Sequence, residues 1–273
     1  MANRMDEVAD LIREVAAVEI LPRFRALSAG DIEEKSKGDF VTIADREAEL
    51  WLTPRLEALV TGSRVLGEEA TAAQPELLSI LEDDAPYWTV DPVDGTGNFV
   101  AGRETFGVMV SLVEKGQVIQ AWIYLPVSGD FVMAERGGGA FLISEGERGR
   151  LFSGAATNEV SRLRGAFNVR FMREDWRDRV ELFADRVPHK STNLCSAWDY
   201  TDLALGRHDL VTYHRMMPWD HAPGSLILHE AGGVLRSLDE ERDYRPATLA
   251  APHLAARDEA SWVHFAEAIR KAV

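Results

Sequence analysis

The sequence lacks the features that mark several large classes of protein. Its 273 residues include a single cysteine, Cys195, so no disulfide can form within the chain. No stretch approaches the ~18 apolar residues that a membrane-spanning helix needs, and the N-terminal segment lacks the charged and apolar regions of a signal peptide. Because reduced thiols are typical of the cytoplasm, these absences favour a cytoplasmic protein.

Positive charge is also scarce. Lys and Arg together number 30 against 45 Asp and Glu, which gives a formal net charge of -15. A field of this sign repels nucleic acid and anionic membrane surfaces. We therefore predict that the protein binds neither nucleic acid nor a membrane. It also repels a phosphorylated metabolite, and a site for one therefore requires cations that invert the local charge.

The most informative stretch is the dodecapeptide 88–99, which reads WTVDPVDGTGNF. Its first residues are typical of the end of a buried strand, and Asp91 and Asp94 follow on either side of a proline. Pro92 fixes its own φ and holds Asp91 extended, so both carboxylates and the Val93 carbonyl can face one pocket. The pattern therefore predicts a pocket rich in oxygen atoms.

Carboxylates that share a pocket repel each other unless a cation lies between them or one of them is protonated. Mg2+ prefers oxygen ligands and keeps several waters that a phosphate can replace. Gly95 and Gly97 allow backbone N–H groups to approach an anion closely. The stretch thus indicates a metal and a phosphate, and the alternative interpretation is a hairpin turn, which Asp-Gly between apolar runs favours.

The segment DPVDGTGNF at 91–99 resembles the first signature of the inositol monophosphatase family, the Mg2+-dependent, lithium-sensitive phosphomonoesterases of the sugar-phosphatase superfamily. Three further segments match the family in order, namely GDFVTIAD at 38–45, LGEE at 66–69 and PWDHAPGSLILHEAGG at 218–233. Together they span nearly the whole chain. The resemblance implies a phosphoric monoester hydrolase that acts on a small phosphorylated metabolite, and a homodimer is usual for the family.

The fold implied by this resemblance is α/β. It is the layered αβαβα sandwich of the inositol monophosphatase and fructose-1,6-bisphosphatase type. An α+β half at residues 1–145 is expected to carry most of the metal ligands. An α/β half at residues 146–273 is expected to contribute Asp220 and the segment that faces the substrate.

Without the resemblance, several of the matching acids have ordinary interpretations. Thr42 or Asp45 is then a helix N-cap, and Asp220 is a carboxylate stabilised by a helix dipole. The neighbours Glu68 and Glu69 are then solvated surface charges. With the resemblance, Glu68 reaches the metal and Glu69 points elsewhere. The implied metal ligands are Glu68, Asp91, Asp94, Asp220 and the carbonyl of Val93.

Two Mg2+ ions follow from the resemblance, with a third, weaker ion near Glu68. The first is held by Glu68, Asp91 and the Val93 carbonyl and activates the attacking water. The second is held by Asp91, Asp94 and Asp220 and stabilises the leaving oxygen, as in two-metal catalysis.

Other residues of the same motifs are expected to act on the water and the phosphate. The resemblance assigns Asp45 and Thr96 to the orientation and deprotonation of the water, beside the metal ligand Glu68. Backbone N–H groups of Gly95 and Thr96, next to Asp94, are expected to hold the phosphate oxygens.

The expected substrate pocket, formed by Cys195, Ser196, Tyr213 and Asp220, departs from the inositol-specific pattern. Tyr213 stands where the inositol-specific members of the family have a glutamate that binds the ring hydroxyls. Leu194 to Ser196 stand where those members have a Gly-Ser/Thr-Ala turn. Histidinol phosphate, a sugar phosphate or a 3'-nucleotide are therefore alternatives to inositol phosphate. A non-catalytic regulatory protein is a further alternative.

Hydrophobic periodicity predicts the elements that carry these motifs. A helix is expected at 5–28, where Pro22 bends or ends the run. Further helices are expected after Thr42 through 60 and at 175–185, 196–205, 219–231 and 254–269. Strands are expected at 63–67, 106–113, 117–125, 130–135, 140–143, 166–170, 209–213, 234–236 and 249–251. Residues 35–38 are interpreted as a flexible polar connection. Arg162, Arg164, Arg170 and Arg173 are interpreted as members of ordinary surface pairs.

Overall fold

The structure, a computed structural model, describes residues 3–157, 159–191 and 193–272. The α-helices in these ranges are α1 (Arg4–Val15), α2 (Ile43–Leu59), α3 (Glu68–Ala73), α4 (Thr96–Val100), α5 (Glu174–Ala184), α6 (Ser196–Ala204), α7 (Pro218–Glu230) and α8 (Glu259–Arg270). A π-helical turn at Ala16–Ile20 extends α1. Short 3-10 helices occur at Leu21–Arg23, Ala29–Asp31, Pro75–Glu82 and Val160–Arg162.

The strands form three sheets. A two-stranded sheet contains β1 (Ile32–Ser36) and β2 (Asp39–Thr42). A seven-stranded sheet contains, in spatial order, β3 (Arg64–Gly67), β4 (Tyr87–Asp94), β5 (Gly107–Glu114), β6 (Gln117–Leu125), β7 (Asp130–Glu135), β8 (Gly139–Ser144) and β9 (Glu147–Arg150). A five-stranded sheet contains β10 (Arg164–Phe167), β11 (His189–Ser191), β12 (Leu210–Arg215), β13 (Val234–Ser237) and β14 (Ala250–Ala256), in the spatial order β11-β10-β12-β14-β13.

Helices alternate with the two large sheets. Helices α1 and α2 pack on one face of the seven-stranded sheet through an apolar cluster that includes Ile12, Leu52 and Trp122. Helices α6 and α7 lie between the other face and the five-stranded sheet, and Tyr200 and Leu226 belong to that layer. Helices α5 and α8 cover the far face of the five-stranded sheet. The predicted αβαβα sandwich is confirmed.

The seven-stranded sheet explains how the chain brings its acidic motifs together. Strand β3 runs parallel to β4, and Gly67 lies opposite Val90. The residues that follow each of these positions, Glu68 and Asp91, therefore emerge side by side. The remaining strand pairs of this sheet are antiparallel.

Three predicted elements need correction. The helix expected at 5–28 is regular only to Val15 and then widens into the π-helical turn before Pro22. The last helix begins at Glu259, because residues 254–256 belong to β14, which is buried between β12 and β13. The connection at 35–38 lies in the β1–β2 hairpin, which turns at Gly38 with φ of 74°. None of the helices described is long and apolar enough to cross a membrane.

Candidate active site

Three acidic side chains converge where β3 and β4 end. One carboxylate oxygen from each of Glu68, Asp91 and Asp220 lies within 4.8 Å of the other two. Glu68 begins α3 directly after β3, and Asp91 lies in β4 just before a bulge in its pairing with β5. Asp220 comes from the first turn of α7, which packs against β4. We call these residues the three-carboxylate cluster.

Burial and mutual repulsion dominate the electrostatics of this cluster. Desolvation raises the pKa of Asp91 well above its usual range, and the charges of Glu68, Asp94 and Asp220 raise it further. The pKa of Asp220 is raised in the same way, first by desolvation and then by Glu68 and Asp94. The folded chain therefore holds more negative charge here than its own side chains neutralise.

Asp94, which the sequence assigned to the same metal site, is held by α6. Its Oδ2 atom accepts hydrogen bonds from the backbone N–H of Ala197 at 2.6 Å and from Sγ of Cys195 at 2.9 Å. Burial raises the pKa of Asp94 to about 6, while these donors oppose the rise. One oxygen is thus committed to α6, and coordination by the other stays a prediction.

Asp45 and Thr96 are in direct contact, as the resemblance implied. The Thr96 hydroxyl lies 3.0 Å from Oδ1 of Asp45 and 3.0 Å from the carbonyl oxygen of Val93. Oδ2 of Asp45 accepts from the backbone N–H of Thr42 at 2.9 Å and from its hydroxyl at 2.5 Å, which completes a capping box for α2. The capping interpretation of Asp45 is therefore correct as well, and it uses the opposite oxygen.

Burial also tunes Asp45 toward neutral pH. Desolvation raises the pKa of Asp45 to about 7, with Glu68 and Glu69 adding to the rise and Thr42 opposing it. A base with a pKa near the working pH is the most effective acceptor of a proton.

Sequence reasoning missed Glu49, which holds the start of α3. Its carboxylate oxygens accept hydrogen bonds from the backbone N–H groups of Glu69 and Ala70, each at 2.8 Å. The side chain is buried, and desolvation raises the pKa of Glu49 to about 7. Its spacing of four residues from Asp45 places both on one face of α2, but the sequence does not show what packs against that face.

Glu69 does not line the cavity and is not part of the three-carboxylate cluster, but it shares a cation with Glu68. The Lys35 ammonium in β1 lies 3.2 Å from a carboxylate oxygen of Glu68 and 3.1 Å from one of Glu69. The reason is that the β1–β2 hairpin folds over the start of α3 and places one cation between the two glutamates. The hairpin therefore contributes the nearest positive charge to an acidic site.

The site opens into a cavity of about 530 Å3 between the two large sheets. All four residues of the expected substrate pocket line it, and so does His214. Tyr213 is only 4% exposed and stacks on Tyr200, with ring centroids 5.4 Å apart. The cavity is within the range of volumes that bind small metabolites.

A second acid, Asp199, was also missed. Its oxygens accept from Nδ2 of Asn193 at 2.9 Å and from Nδ2 of Asn168 at 3.1 Å, and it lines the cavity. Desolvation raises the pKa of Asp199 to about 7. Its two partners, Asn168 and Asn193, lie outside α6, and no pattern in the sequence indicates them.

The donor set fits a hard divalent cation. The three-carboxylate cluster and Asp94 offer only oxygen atoms, and crowded buried carboxylates bind a cation more readily than they ionise alone. Oxygen ligands of this kind select Mg2+ over zinc, which favours nitrogen and sulfur.

Comparison with known proteins gives a consistent family. The sequence profile described as the inositol monophosphatase family matches residues 3–273. An inositol monophosphatase of Dictyostelium discoideum is 29% identical over 236 residues, which cover 85% of this chain and 83% of that protein. An inositol-1-monophosphatase of Bacillus subtilis is 30% identical over 244 residues, which cover 88% of this chain and 87% of that protein.

Solved structures agree on the fold. An IMPase from Thermotoga maritima superimposes with a TM-score of 0.78 at 23% identity, covering 99% of this chain and 98% of that one. The chain belongs to the inositol monophosphatase family, and it is a hydrolase of phosphoric monoesters.

Proposed function

We propose that the protein hydrolyses a small phosphomonoester in a Mg2+-dependent reaction in which water attacks phosphorus directly. The observation that carries this proposal is the approach of Glu68, Asp91 and Asp220 to within 4.8 Å in one cavity. Carboxylates at this separation repel each other strongly unless a cation lies between them.

The residues proposed to hold two Mg2+ ions are the three-carboxylate cluster, Asp94 and the carbonyl of Val93. Bound there, Mg2+ supplies the positive charge that attracts the phosphate, lowers the pKa of a water and stabilises the leaving oxygen. The chain's own cation at the site, Lys35, leaves part of this negative charge unbalanced, which supports the need for metal.

Asp45 and Thr96 are proposed to handle the proton. Thr96 Oγ1 takes the hydrogen bond of the attacking water while its own hydroxyl proton lies toward Oδ1 of Asp45. Asp45 thereby accepts the proton that the water loses. The backbone N–H groups of Gly95 and Thr96 orient the phosphate, and the products are inorganic phosphate and the alcohol, without a covalent phosphoenzyme.

Several phosphomonoesters are candidate substrates. Inositol phosphate is the first candidate from the family, and histidinol, sugar and 3'-nucleotide phosphates are alternatives. Tyr213 at the position of the ring-gripping glutamate argues against strong selection for inositol hydroxyls. Its hydroxyl is buried and has no partner among the described residues.

Release of phosphate from a panel of these esters, with and without Mg2+, tests the proposal. We expect turnover that requires Mg2+ and that is nearly abolished by Asp94→Asn and by Asp220→Asn, while near-UV circular dichroism of both variants matches the wild type. Retained activity in either variant removes that residue from the site. Silence across the panel, with a protein partner recovered in stoichiometric amount, favours a regulatory role instead.

The remaining proposals concern the assembly and its location. The family resemblance supports a cytoplasmic homodimer. Light scattering coupled to gel filtration tests the dimer, and a mass of about one chain contradicts it.

A further inference from the structure

The mouth of the cavity carries charge opposite to that of its floor. Asp91, Asp94 and Asp220 line its floor, whereas three exposed arginines and the partly exposed Asp39 line the rest. The arginine rim consists of Arg103, Arg170 and Arg215. All three are exposed, and none forms an ion pair with a carboxylate in the part of the chain that the structure describes.

Two members of this rim share one aromatic ring. The guanidinium carbons of Arg170 and Arg215 lie 5.0 Å and 5.4 Å from the centroid of the Phe171 ring. Phe171 is 51% exposed and lines the cavity, so it contributes little to the core. Its ring instead attracts two cations to the cavity, which cation–π attraction makes favourable.

Further contacts fix the positions of these arginines. The Arg170 guanidinium donates to the carbonyl oxygens of Lys37 and Gly38, which ties it to the β1–β2 hairpin. The carbonyl oxygen of Arg215, at the end of β12, accepts a hydrogen bond from Nε2 of His221 at 2.9 Å, which fixes the main chain of Arg215. Each guanidinium carries five N–H groups, so donors remain for a ligand.

Resting on the proposed function, we propose that Arg170 and Arg215, held by Phe171, form a subsite for a second anionic group of the substrate. The substrate class is then a phosphomonoester whose alcohol part carries another phosphate or a carboxylate. Guanidinium groups match the planar, bidentate geometry of both anions.

The distribution of charge supports this class over neutral polyols. The chain carries a net charge of -15, and positive charge gathered at a cavity mouth is unusual in such a protein. The ester phosphate binds at the acidic floor through the metal, so it leaves the rim without a partner. A neutral inositol or sugar ring gains little from exposed guanidinium groups, whereas a second anion gains charge-assisted hydrogen bonds.

Matched substrate pairs that differ only in the distal anion test the subsite. For a second phosphate they are adenosine 3',5'-bisphosphate against adenosine 3'-phosphate, and fructose 1,6-bisphosphate against fructose 1-phosphate. For a carboxylate the pair is 3-phosphoglycerate against glycerol 3-phosphate. We expect kcat/KM to favour the charged member of at least one pair by about tenfold or more.

Arginine variants measure the origin of that preference. Arg215→Gln and Arg170→Gln should each lower the ratio of kcat/KM within the favoured pair by about tenfold, mainly through KM. Arg173→Ala is the control, because Arg173 lies on the same loop but pairs with Asp175 at 2.6 Å. Absence of a preference in every pair, or a preference that survives both Gln variants, overturns the subsite.

Equilibrium binding separates this proposal from the proposed function. The same compounds are titrated by calorimetry with Ca2+ in place of Mg2+. If no pair is hydrolysed, the proposed function fails, and the subsite is then judged by binding alone. Tighter binding of a charged member that Arg215→Gln removes supports the subsite, and equal binding of both members overturns it.

Discussion

The Thr96 hydroxyl lies 3.0 Å from Oδ1 of Asp45, although 51 residues separate them in the sequence. Asp45 belongs to the first turn of α2, and its other oxygen closes the capping box with Thr42. One oxygen of the Asp45 carboxylate thus fixes the start of α2, and the other faces Thr96 at the candidate active site. This double use explains why a helix-capping pattern and a catalytic motif overlap at 42–45.

Removal of the Asp45 charge should slow the chemical step. We expect Asp45→Asn to lower kcat by about 10²–10⁴-fold with a small change in KM, because the amide accepts no proton. Steady-state kinetics at saturating Mg2+ measure this. Glu47→Gln, an exposed acid on the same helix, is the control, and equal activity in the two variants contradicts the role of Asp45.

The Thr96 hydroxyl should be needed for the same step. Thr96→Val keeps the shape of the side chain but removes the hydrogen bonds to Asp45 and to the Val93 carbonyl. We expect kcat to fall by about 10²-fold in the valine variant and to recover largely in Thr96→Ser. If valine and serine give the same kcat, the hydroxyl does not act on the water.

Glu49 should set the position of Glu68 without touching the substrate. Its carboxylate satisfies two backbone N–H groups at the start of α3, and a Cβ on Gly67 would lie 2.3 Å from that carboxyl group. Glu49→Ala leaves these donors buried, so we expect a loss of about 1–3 kcal/mol in the free energy of unfolding. It should also raise the Mg2+ concentration needed for half-maximal activity. Glu57→Ala on the exposed face of α2 should change neither quantity.

The acidic ligands were predictable because their motifs are contiguous. The motifs of β3 and β4 combine an apolar run with acids at its end, so a strand and its terminal carboxylates are visible together, as in β4 with Asp91 and Asp94. Residues 32–42 lack this contrast, since β1 is exposed at three of its five positions. The hairpin was therefore interpreted as a connection.

Residues whose roles depend on distant partners were not predictable. Glu49 has the appearance of a helix surface charge until Gly67 and α3 pack against it. The arginines at 162–173 were treated alike. Arg173 forms the expected local pair with Asp175, whereas Arg170 crosses to the hairpin, 132 residues away from Gly38. Only the fold distinguishes the two.

Gly224 lets α7 approach α6 closely enough to position Asp220. A Cβ at Gly224 would lie 2.0 Å from the Tyr200 ring, which is itself fully buried. We expect Gly224→Ala to lower the free energy of unfolding by about 1–3 kcal/mol or more, as overpacking does in well-packed cores. Chemical denaturation measures this. Gly149→Ala, where the new methyl group meets open space, should be close to neutral.

The three-carboxylate cluster should make stability depend on pH when divalent cations are removed. Burial and repulsion raise the folded-state pKa of Asp91 and Asp220, so the folded chain binds more protons than the unfolded chain at intermediate pH. The free energy of unfolding then falls as pH rises from about 5 to 8. Buried His221, whose pKa is lowered to about 3 by desolvation, has the opposite effect. Its contribution lowers the free energy of unfolding as the pH falls.

A comparison with Asp220→Asn isolates the acidic contribution, because His221 is common to both proteins. In EDTA we expect Asp220→Asn to melt above the wild type at pH 8, where it relieves repulsion, and the difference to shrink as the pH falls and Asp220 binds a proton. Excess Mg2+ at pH 8 should reverse the order, since the wild type binds the ion more tightly and gains stability by mass action. Asp178→Asn, at an exposed position of α5, should follow the wild type throughout. A difference in melting temperature that does not change with pH or Mg2+ means that Asp220 is not part of a repelling, cation-binding cluster.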